Sequence, residues 1–487
     1  MATRALMATK ALSAVDRHLA LVGFMGAGKS TLGPELAEQL GRPFVSVDDL
    51  VEQGTRTSIK ELFAEKGEAT FRDFEEQAAA FALGRGQLAV IELGGGALQS
   101  EATRNALAES AFTLLVRATP EEAWGRVAGS GRPLARDREE FEALYKRRRP
   151  LYEEVADAEA GDVQTAVLAA AGVHIGEGSV GRLFELVPGH GPVELVVDAR
   201  VEPLHGDRVR AALGDRLTAF HVVPAGEASK NISEAERLAS ALRLDRAGTL
   251  VALGGGSTTD LAGFIAATYL RGVPWVPVPT TRIGQVDAAI GGKTAVEMEG
   301  GKNLVGAFHW PARVITDPNL LMTLPAEEFE TGLAEVVKTG LLAGEPLWEL
   351  PLGEQVRRCA AFKAAVCLRD PFDTGGDRAQ LNLGHTFAHA LEAASEFSLP
   401  HGRAVALGLV AALRLSGLGE EARMVQKLLR PVPVKVDRDA AWAAVARDKK
   451  VAEGRPRLVL LEAPGKPRIG VELDPLEVRA ALDALIQ

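Results

Sequence analysis

At 487 residues the chain exceeds what one hydrophobic core supports, and a usual domain size of about 150 residues predicts roughly three folding units. With 47% hydrophobic and 25% charged residues the composition excludes extensive disorder and a fibrous architecture. A formal charge of −10 without a long basic block excludes a nucleic-acid surface, which needs clustered Lys and Arg.

Two cysteines, Cys359 and Cys367, are too few to staple a chain of this size; they read as small buried hydrophobes in a reducing compartment. The longest apolar stretch, 404–413, falls far short of the roughly 20 residues that span a bilayer. Residues 1–16 lack the continuous apolar run of a signal peptide and read as a frayed tail. A soluble, cytoplasmic protein without a membrane partner is expected.

From His18 the sequence reads as an apolar strand (19–22), a Gly-rich turn and a helix pattern through Leu40. Strands at 88–93, ending in Gly94-Gly95-Gly96, and at 111–116 alternate with helical stretches, which predicts a parallel sheet with helices on both faces. The basic stretch 145–149 stops at Pro150, and 158–178 carries no strong periodicity. The seam is expected near residue 172, within about ten residues. A second α/β pattern starts at 194–197 and continues through buried-type strands at 249–253 and 275–278. After Pro325, long amphipathic patterns at 327–343, 381–394 and 403–418 predict a mainly helical last domain, closed by strands 458–461 and 468–471 around Pro464-Gly465. The expected fold class is α/β: a P-loop unit with a parallel sheet (1–172), a Rossmann-like α/β domain (173–325) and a mainly α-helical domain (326–487).

Gly23-Phe24-Met25-Gly26-Ala27-Gly28-Lys29-Ser30-Thr31 fits G-x-x-x-x-G-K-[ST] between a strand and a helix, the context that makes this motif specific. Backbone N–H groups of Gly26, Ala27, Gly28 and Thr31 would close around ATP phosphates, Lys29 would reach the β- and γ-phosphates, and Ser30 can ligate magnesium. The motif alone does not separate a metabolite kinase from a switch GTPase or a motor. Further motifs are 44–49, ending in Asp48-Asp49, Gly67-Glu68-Ala69-Thr70-Phe71-Arg72, Gly94-Gly95-Gly96, Arg132-Pro133-Leu134 and Arg148-Arg149-Pro150-Leu151-Tyr152. Together they resemble, in order, the motifs of shikimate kinases over residues 18–165. The resemblance implies magnesium- and ATP-dependent phosphorylation of shikimate. Asp48 would hold the substrate hydroxyls and act near the attacking oxygen, Arg72 and Arg148 would grip the carboxylate beside Gly94, Gly95 and Gly96, and Arg132 would sit in a lid over the transferred phosphoryl. The chemistry agrees, because a carboxylate-bearing acceptor needs fork-shaped Arg donors and little covalent help. One departure stands out: the family usually has an aspartate where this chain has Ser46. That acid supports magnesium through water, so weaker metal binding or compensation by Asp49 or Glu92 follows.

Gly254-Gly255-Gly256-Ser257-Thr258-Thr259-Asp260 follows a buried strand and opens a helix pattern, as a pyrophosphate-binding turn would, although a plain tight turn fits too. Glu335 and Lys338 share one helix face, His385 and His389 stand at i, i+4, and His401-Gly402 follows after a break. One glutamate and two histidines on zinc leave a position open for a substrate oxygen, and spacing alone pairs His385 with His389.

Residues 180–487 resemble 3-dehydroquinate synthase through Gly226-Glu227-Ala228-Ser229-Lys230, the 254–260 turn, Arg271-Gly272-Val273, Pro279-Thr280-Thr281, Gln285-Val286-Asp287, Gly291-Gly292-Lys293-Thr294, Gly301-Lys302-Asn303, the three helical motifs above and Arg447-Asp448-Lys449-Lys450. The resemblance implies zinc, or cobalt, on Glu335, His385 and His401 instead. Arg271, Lys293, Asn303, Lys338, Lys363, Arg378, Asn382 and His389 would line the substrate pocket, with Lys449 or Lys450 near the phosphate. NAD would touch Asp198, Glu227, Lys230, Gly255, Gly256, Ser257, Thr258, Thr259, Asp260, Thr280, Thr281, Lys293, Lys302 and Thr323. The implied reaction converts 3-deoxy-arabino-heptulosonate 7-phosphate to 3-dehydroquinate by oxidation, phosphate elimination, re-reduction, ring opening and aldol closure, so NAD is regenerated. A homodimer through this half is also implied. Arg403, Asp373 in a loop one residue longer, and Thr339 depart from the family pattern without removing a metal ligand. Two alternatives are weighed: a degenerate, regulatory kinase half, and a polyol dehydrogenase or related sugar-phosphate cyclase at the C-terminus.

Overall fold

The computed structural model describes residues 13–129, 134, 137–299, 301–447 and 456–487. The chain divides into two compact units, one ending at Val173 and the other beginning at His174.

In the first unit, strands β1 (His18–Val22), β2 (Phe44–Ser46), β3 (Val90–Glu92), β4 (Ala111–Val116) and β5 (Ala158–Ala160) form one sheet in the order β2-β3-β1-β4-β5. Every pairing is parallel. Both β1 and β4 are buried along their whole length, as a sheet covered on both faces requires. The helices of this unit are α1 (Lys29–Gln39), α2 (Val47–Thr55), α3 (Ile59–Leu83), α4 (Glu101–Ser110), α5 (Pro120–Val127), α6 (Arg138–Val155) and α7 (Val163–Ala170). Their starts are marked locally. Ser58 with Glu61 and Thr119 with Glu122 form capping boxes on α3 and α5, and the Ser46 hydroxyl caps α2. Phe141 on α6 is fully buried, with its ring 4.9 Å from Phe24 and 5.1 Å from Trp124.

Two expectations are corrected here. Helix α6 runs through Pro150 to Val155: one lost N–H is outweighed by the burial of Arg148 and Tyr152 on either side. The stretch without periodicity holds β5 and α7, because β5 is short and α7 is set by an Asp162 capping box rather than by an apolar stripe.

After a short helix (Leu183–Leu186), the second unit contains β6 (Val193–Asp198), α8 (Glu202–Leu213), β7 (Leu217–Val223), α9 (Ile232–Ala241), β8 (Thr249–Gly254), α10 (Gly256–Thr268) and β9 (Trp275–Pro279). Its parallel sheet has the order β9-β8-β6-β7. A hairpin of β10 (Lys293–Met298) and β11 (Gly301–Phe308) follows. Then come α11 (Ala326–Thr331), α12 (Leu333–Ala343), α13 (Leu352–Arg369), α14 (His385–Ala394), α15 (His401–Leu415), α16 (Gly419–Leu429) and α17 (Arg438–Arg447), the antiparallel pair β12 (Arg457–Ala463) and β13 (Lys466–Glu472), and α18 (Pro475–Asp483).

The helical pattern expected at 327–343 is interrupted at Gly332, where an added Cβ would lie 2.6 Å from that of Arg282. The one expected at 381–394 begins as a 3-10 turn (Asp377–Asn382) and restarts at Gly384. Helices α14 and α15 cross with almost no gap: a Cβ on Gly408 would stand 2.1 Å from the Gly384 carbonyl oxygen. That close approach brings His385, next to Gly384, near the first turn of α15. Among the described residues, no helix is long and apolar enough to cross a membrane.

Candidate active sites

In the first unit, the loop after β1 wraps the start of α1. Lys29 is buried, and its ammonium donates to the carbonyls of Gly23 (2.9 Å) and Phe24 (3.3 Å). The Ser30 hydroxyl donates to Glu92 Oε1 at 2.7 Å. The glycines after β3 lie against this loop: a Cβ on Gly95 would be 3.1 Å from the Met25 nitrogen, and one on Gly94 would be 3.0 Å from Asp48 Oδ1. Arg148 and the Tyr152 hydroxyl both donate to the Gly95 carbonyl, at 3.1 and 2.5 Å. Arg72 pairs with Glu75 at 2.5 Å and with Glu68 at 2.8 Å. Burial raises the Glu75 pKa, against the pull of Arg72 and with the help of Asp48. Burial likewise lowers that of Arg148. Asp48, Glu75, Arg72 and Arg148 therefore converge on the three glycines, two guanidiniums with two carboxylates beside them. Thr31 is exposed on the first turn of α1. Arg132 lies outside the described residues.

In the second unit, Glu335 on α12, His385 on α14 and His401 on α15 present ligand atoms that all lie within 4.8 Å of one another. Glu335 is fully buried. Its Oε1 is 3.1 Å from His401 Nε2 and 3.4 Å from His385 Nε2. Zinc at its usual bond lengths to N and O ligands sets the edges of its tetrahedron at about 3.3 Å, so these spacings suit a shared ion. Both imidazoles are held from behind. His401 Nδ1 meets Glu392 Oε1 at 2.9 Å and His385 Nδ1 meets the Leu383 carbonyl at 3.2 Å, which leaves each Nε2 toward Glu335. Burial would raise the Glu335 pKa, but Lys338 and the two histidines hold it well below the ordinary carboxylate range. Lys338 is itself buried, 2.5 Å from Glu335 Oε2 and 3.7 Å from Asp287 Oδ2, and Lys363 also pairs with Asp287. His389 turns its ring edge-on to His385 at 5.4 Å and stands outside the triangle. The pairing that spacing alone suggested is therefore replaced by His385 with His401.

Beside this cluster, Gly255 caps α10 at the end of β8. Thr280 donates its N–H to the Gly254 carbonyl, and Gly255 faces Thr281, whose hydroxyl accepts from Gly284. Thr259 donates its hydroxyl to the Gly256 carbonyl, and Thr258 is buried. Lys230 bridges Asp260 and Asn303, both at 2.7 Å. Ser257 donates to Glu227 at 2.6 Å. Asp198 ends β6 and accepts from the N–H groups of Arg200 and Gly226. Lys302 lies 4.4 Å over the Phe397 ring, and Thr323 meets His205 at 2.7 Å.

The remaining pocket residues are scattered in their roles. Lys293 pairs with Asp373 at 2.6 Å, which gives that departure from the family pattern a partner. Arg403, the other charged departure, pairs with Glu327 on the surface at 2.8 Å. Arg378 is buried and spends its Nε and Nη2 on the carbonyls of Asp370, Gly291 and Pro371, so it clamps two loops together. Asn382 donates to the Ala379 carbonyl. Arg271 stands exposed in a left-handed turn after α10. Lys449 and Lys450 lie outside the described residues. Asp287, quoted in a motif but given no role, and Glu75 and Glu392 are site residues that sequence reasoning missed. Glu75 had a local signal in its i+3 spacing from Arg72.

Family models match in the same order: shikimate kinase over residues 25–172, and the N-terminal and C-terminal parts of 3-dehydroquinate synthase over 220–331 and 332–451. A bifunctional shikimate kinase/3-dehydroquinate synthase of Thermotoga maritima is 33% identical, covering 95% of this chain and 99% of that protein. A 3-dehydroquinate synthase of Symbiobacterium thermophilum is 42% identical, covering 64% of this chain and 97% of its own. Among solved structures, 2-epi-5-epi-valiolone synthase of Streptomyces hygroscopicus, with NAD+ and Zn2+ bound, matches with a TM-score of 0.57 at 26% identity over 64% of this chain and 96% of that one. The chain belongs to the shikimate kinase and 3-dehydroquinate synthase families, joined in one polypeptide as a bifunctional enzyme of the shikimate pathway.

Proposed function

We propose that the first unit phosphorylates shikimate from ATP and magnesium, and that the second converts 3-deoxy-arabino-heptulosonate 7-phosphate to 3-dehydroquinate with NAD and one zinc or cobalt ion. The single observation that carries the second assignment is the Glu335-centred triangle with its buried lysine beside it.

In the kinase, the Gly26–Thr31 loop and Lys29 bind the ATP phosphates, and Ser30 is the residue that would hold magnesium, which neutralises charge on the phosphates when bound. Arg72 and Arg148 fix the shikimate carboxylate against Gly94, Gly95 and Gly96 while Asp48 takes the proton from the attacking hydroxyl. The resemblance assigns the transferred group to Arg132, which lies outside the described residues.

In the synthase, the carboxylate and two imidazoles suit a catalytic divalent ion, and the tetrahedral spacing supports that fit. Bound there, the ion supplies Lewis acidity toward a substrate hydroxyl, and NAD on the residues around the 255–260 turn supplies a reversible hydride acceptor. The chain's own groups do the rest. Lys338, Lys363 and Asp287 hold and move a proton next to the site of oxidation, and Lys293, Asn303, Arg271, Arg378, Asn382 and His389 position a doubly anionic substrate so that phosphate can leave. A cytoplasmic homodimer joined through the synthase unit completes the reading; two buried cysteines in no disulfide suit a reducing compartment.

Shikimate-dependent ADP formation, lost in Lys29→Ala, tests the first half; a parent protein without turnover overturns it. Phosphate release from the heptulosonate phosphate without net NADH, with 3-dehydroquinate identified by NMR, tests the second. Accumulating NADH would mark a dehydrogenase instead, and a different carbocycle would mark another cyclase.

A further inference from the structure

In phosphate-loop enzymes, magnesium is held by the loop Ser or Thr together with a carboxylate from a neighbouring strand. The position at the end of β2 where that acid is usual carries Ser46, and its hydroxyl is engaged in accepting the Asp49 N–H at 3.1 Å. In the parallel β2–β3 pairing, the residue in register with Ser46 is Glu92. Glu92 reaches back across the sheet so that its Oε1 takes the Ser30 hydroxyl at 2.7 Å. Asp48 lies beside Gly94 and Glu75, and both Asp48 and Asp49 are exposed.

We propose that Glu92 is the carboxylate that supports magnesium in the kinase site, doing from β3 what an acid at position 46 does from β2. The carboxylate has moved by one strand and kept its contact with the metal-bearing serine. This inference rests on the kinase reading above.

The test is Mn2+ binding to the full-length protein with ADP, followed by water-proton relaxation, beside the free Mg2+ needed for half-maximal shikimate phosphorylation. Glu92→Ser and the isosteric Glu92→Gln are expected to weaken cation binding about 10- to 100-fold, the usual cost of losing an outer-shell partner, with metal-free ADP affinity and melting temperature held. Adding Ser46→Asp to Glu92→Ser is expected to restore binding to within about threefold of the parent, since Asp also caps a helix. Cation affinity unchanged in Glu92→Gln, or no rescue in a folded double variant, would overturn the proposal. A parent protein that binds Mn2+ through Glu92 yet never phosphorylates shikimate would sink the kinase reading and leave this assignment standing.

Discussion

Gly96 has no room for a side chain: an added Cβ would lie 2.2 Å from Arg72 Nη1. Gly96→Ala must therefore push Arg72 off Glu75 and off the carboxylate it serves. A hydrogen bond to a charged group contributes about 1.5–3 kcal/mol, so the shikimate KM should rise about tenfold or more while that for ATP holds, and an unchanged value would contradict the placement. Glu75 gives a pH prediction. Because burial raises its pKa in the folded unit, the stability it contributes is full below the ordinary value of 4.5 and is lost as pH rises through the folded value. Glu75→Gln removes that loss, so its stability relative to the parent should climb as pH rises above 4.5 in urea titrations of the kinase unit; a flat difference would refute this. Lys29, Ser30 and Glu335 were legible because their motifs specify chemistry. Glu75 and Glu392 were not, since a lone acid on a helix reads as a solvated face until packing buries it.

At the scale of elements, strands carried the clearest signal. The apolar run 111–116 is β4, residue for residue, because a doubly covered parallel strand is apolar throughout. The helices around the metal cluster were harder. Gly332 and Gly384 break patterns that read as continuous, and those breaks are what aim Glu335 and His385 at each other. The crossing of α14 on α15 is fixed by Gly384 and Gly408, a tertiary contact that has no periodic signature. Phe387, almost fully buried in the core between the two histidines of α14, secures that crossing. Phe387→Ala should destabilise the helical domain by about 3–5 kcal/mol. Denaturant unfolding followed in the synthase unit checks this, and a loss under about 1 kcal/mol would show that α14 is held in another way.

For the whole molecule, order along the chain was readable because each family places its motifs in sequence. Spacing alone does not give which imidazoles meet, since residues 385 and 401 are joined only by the fold; the family resemblance supplied that pairing. Two compact units with separate catalytic residues predict separate responses to metal removal. Treatment with a zinc-selective chelator in excess magnesium should abolish phosphate release and leave shikimate phosphorylation intact; parallel loss of both would contradict the division of labour. The central claim is that Glu335, His385 and His401, and not His389, hold one ion. Zinc or cobalt per chain, determined by mass spectrometry after reconstitution and exhaustive dialysis, tests it most directly. The account predicts about one equivalent in the parent and in His389→Ala, and less than about a tenth of that in His401→Ala. Metal kept by His401→Ala but lost from His389→Ala would contradict it.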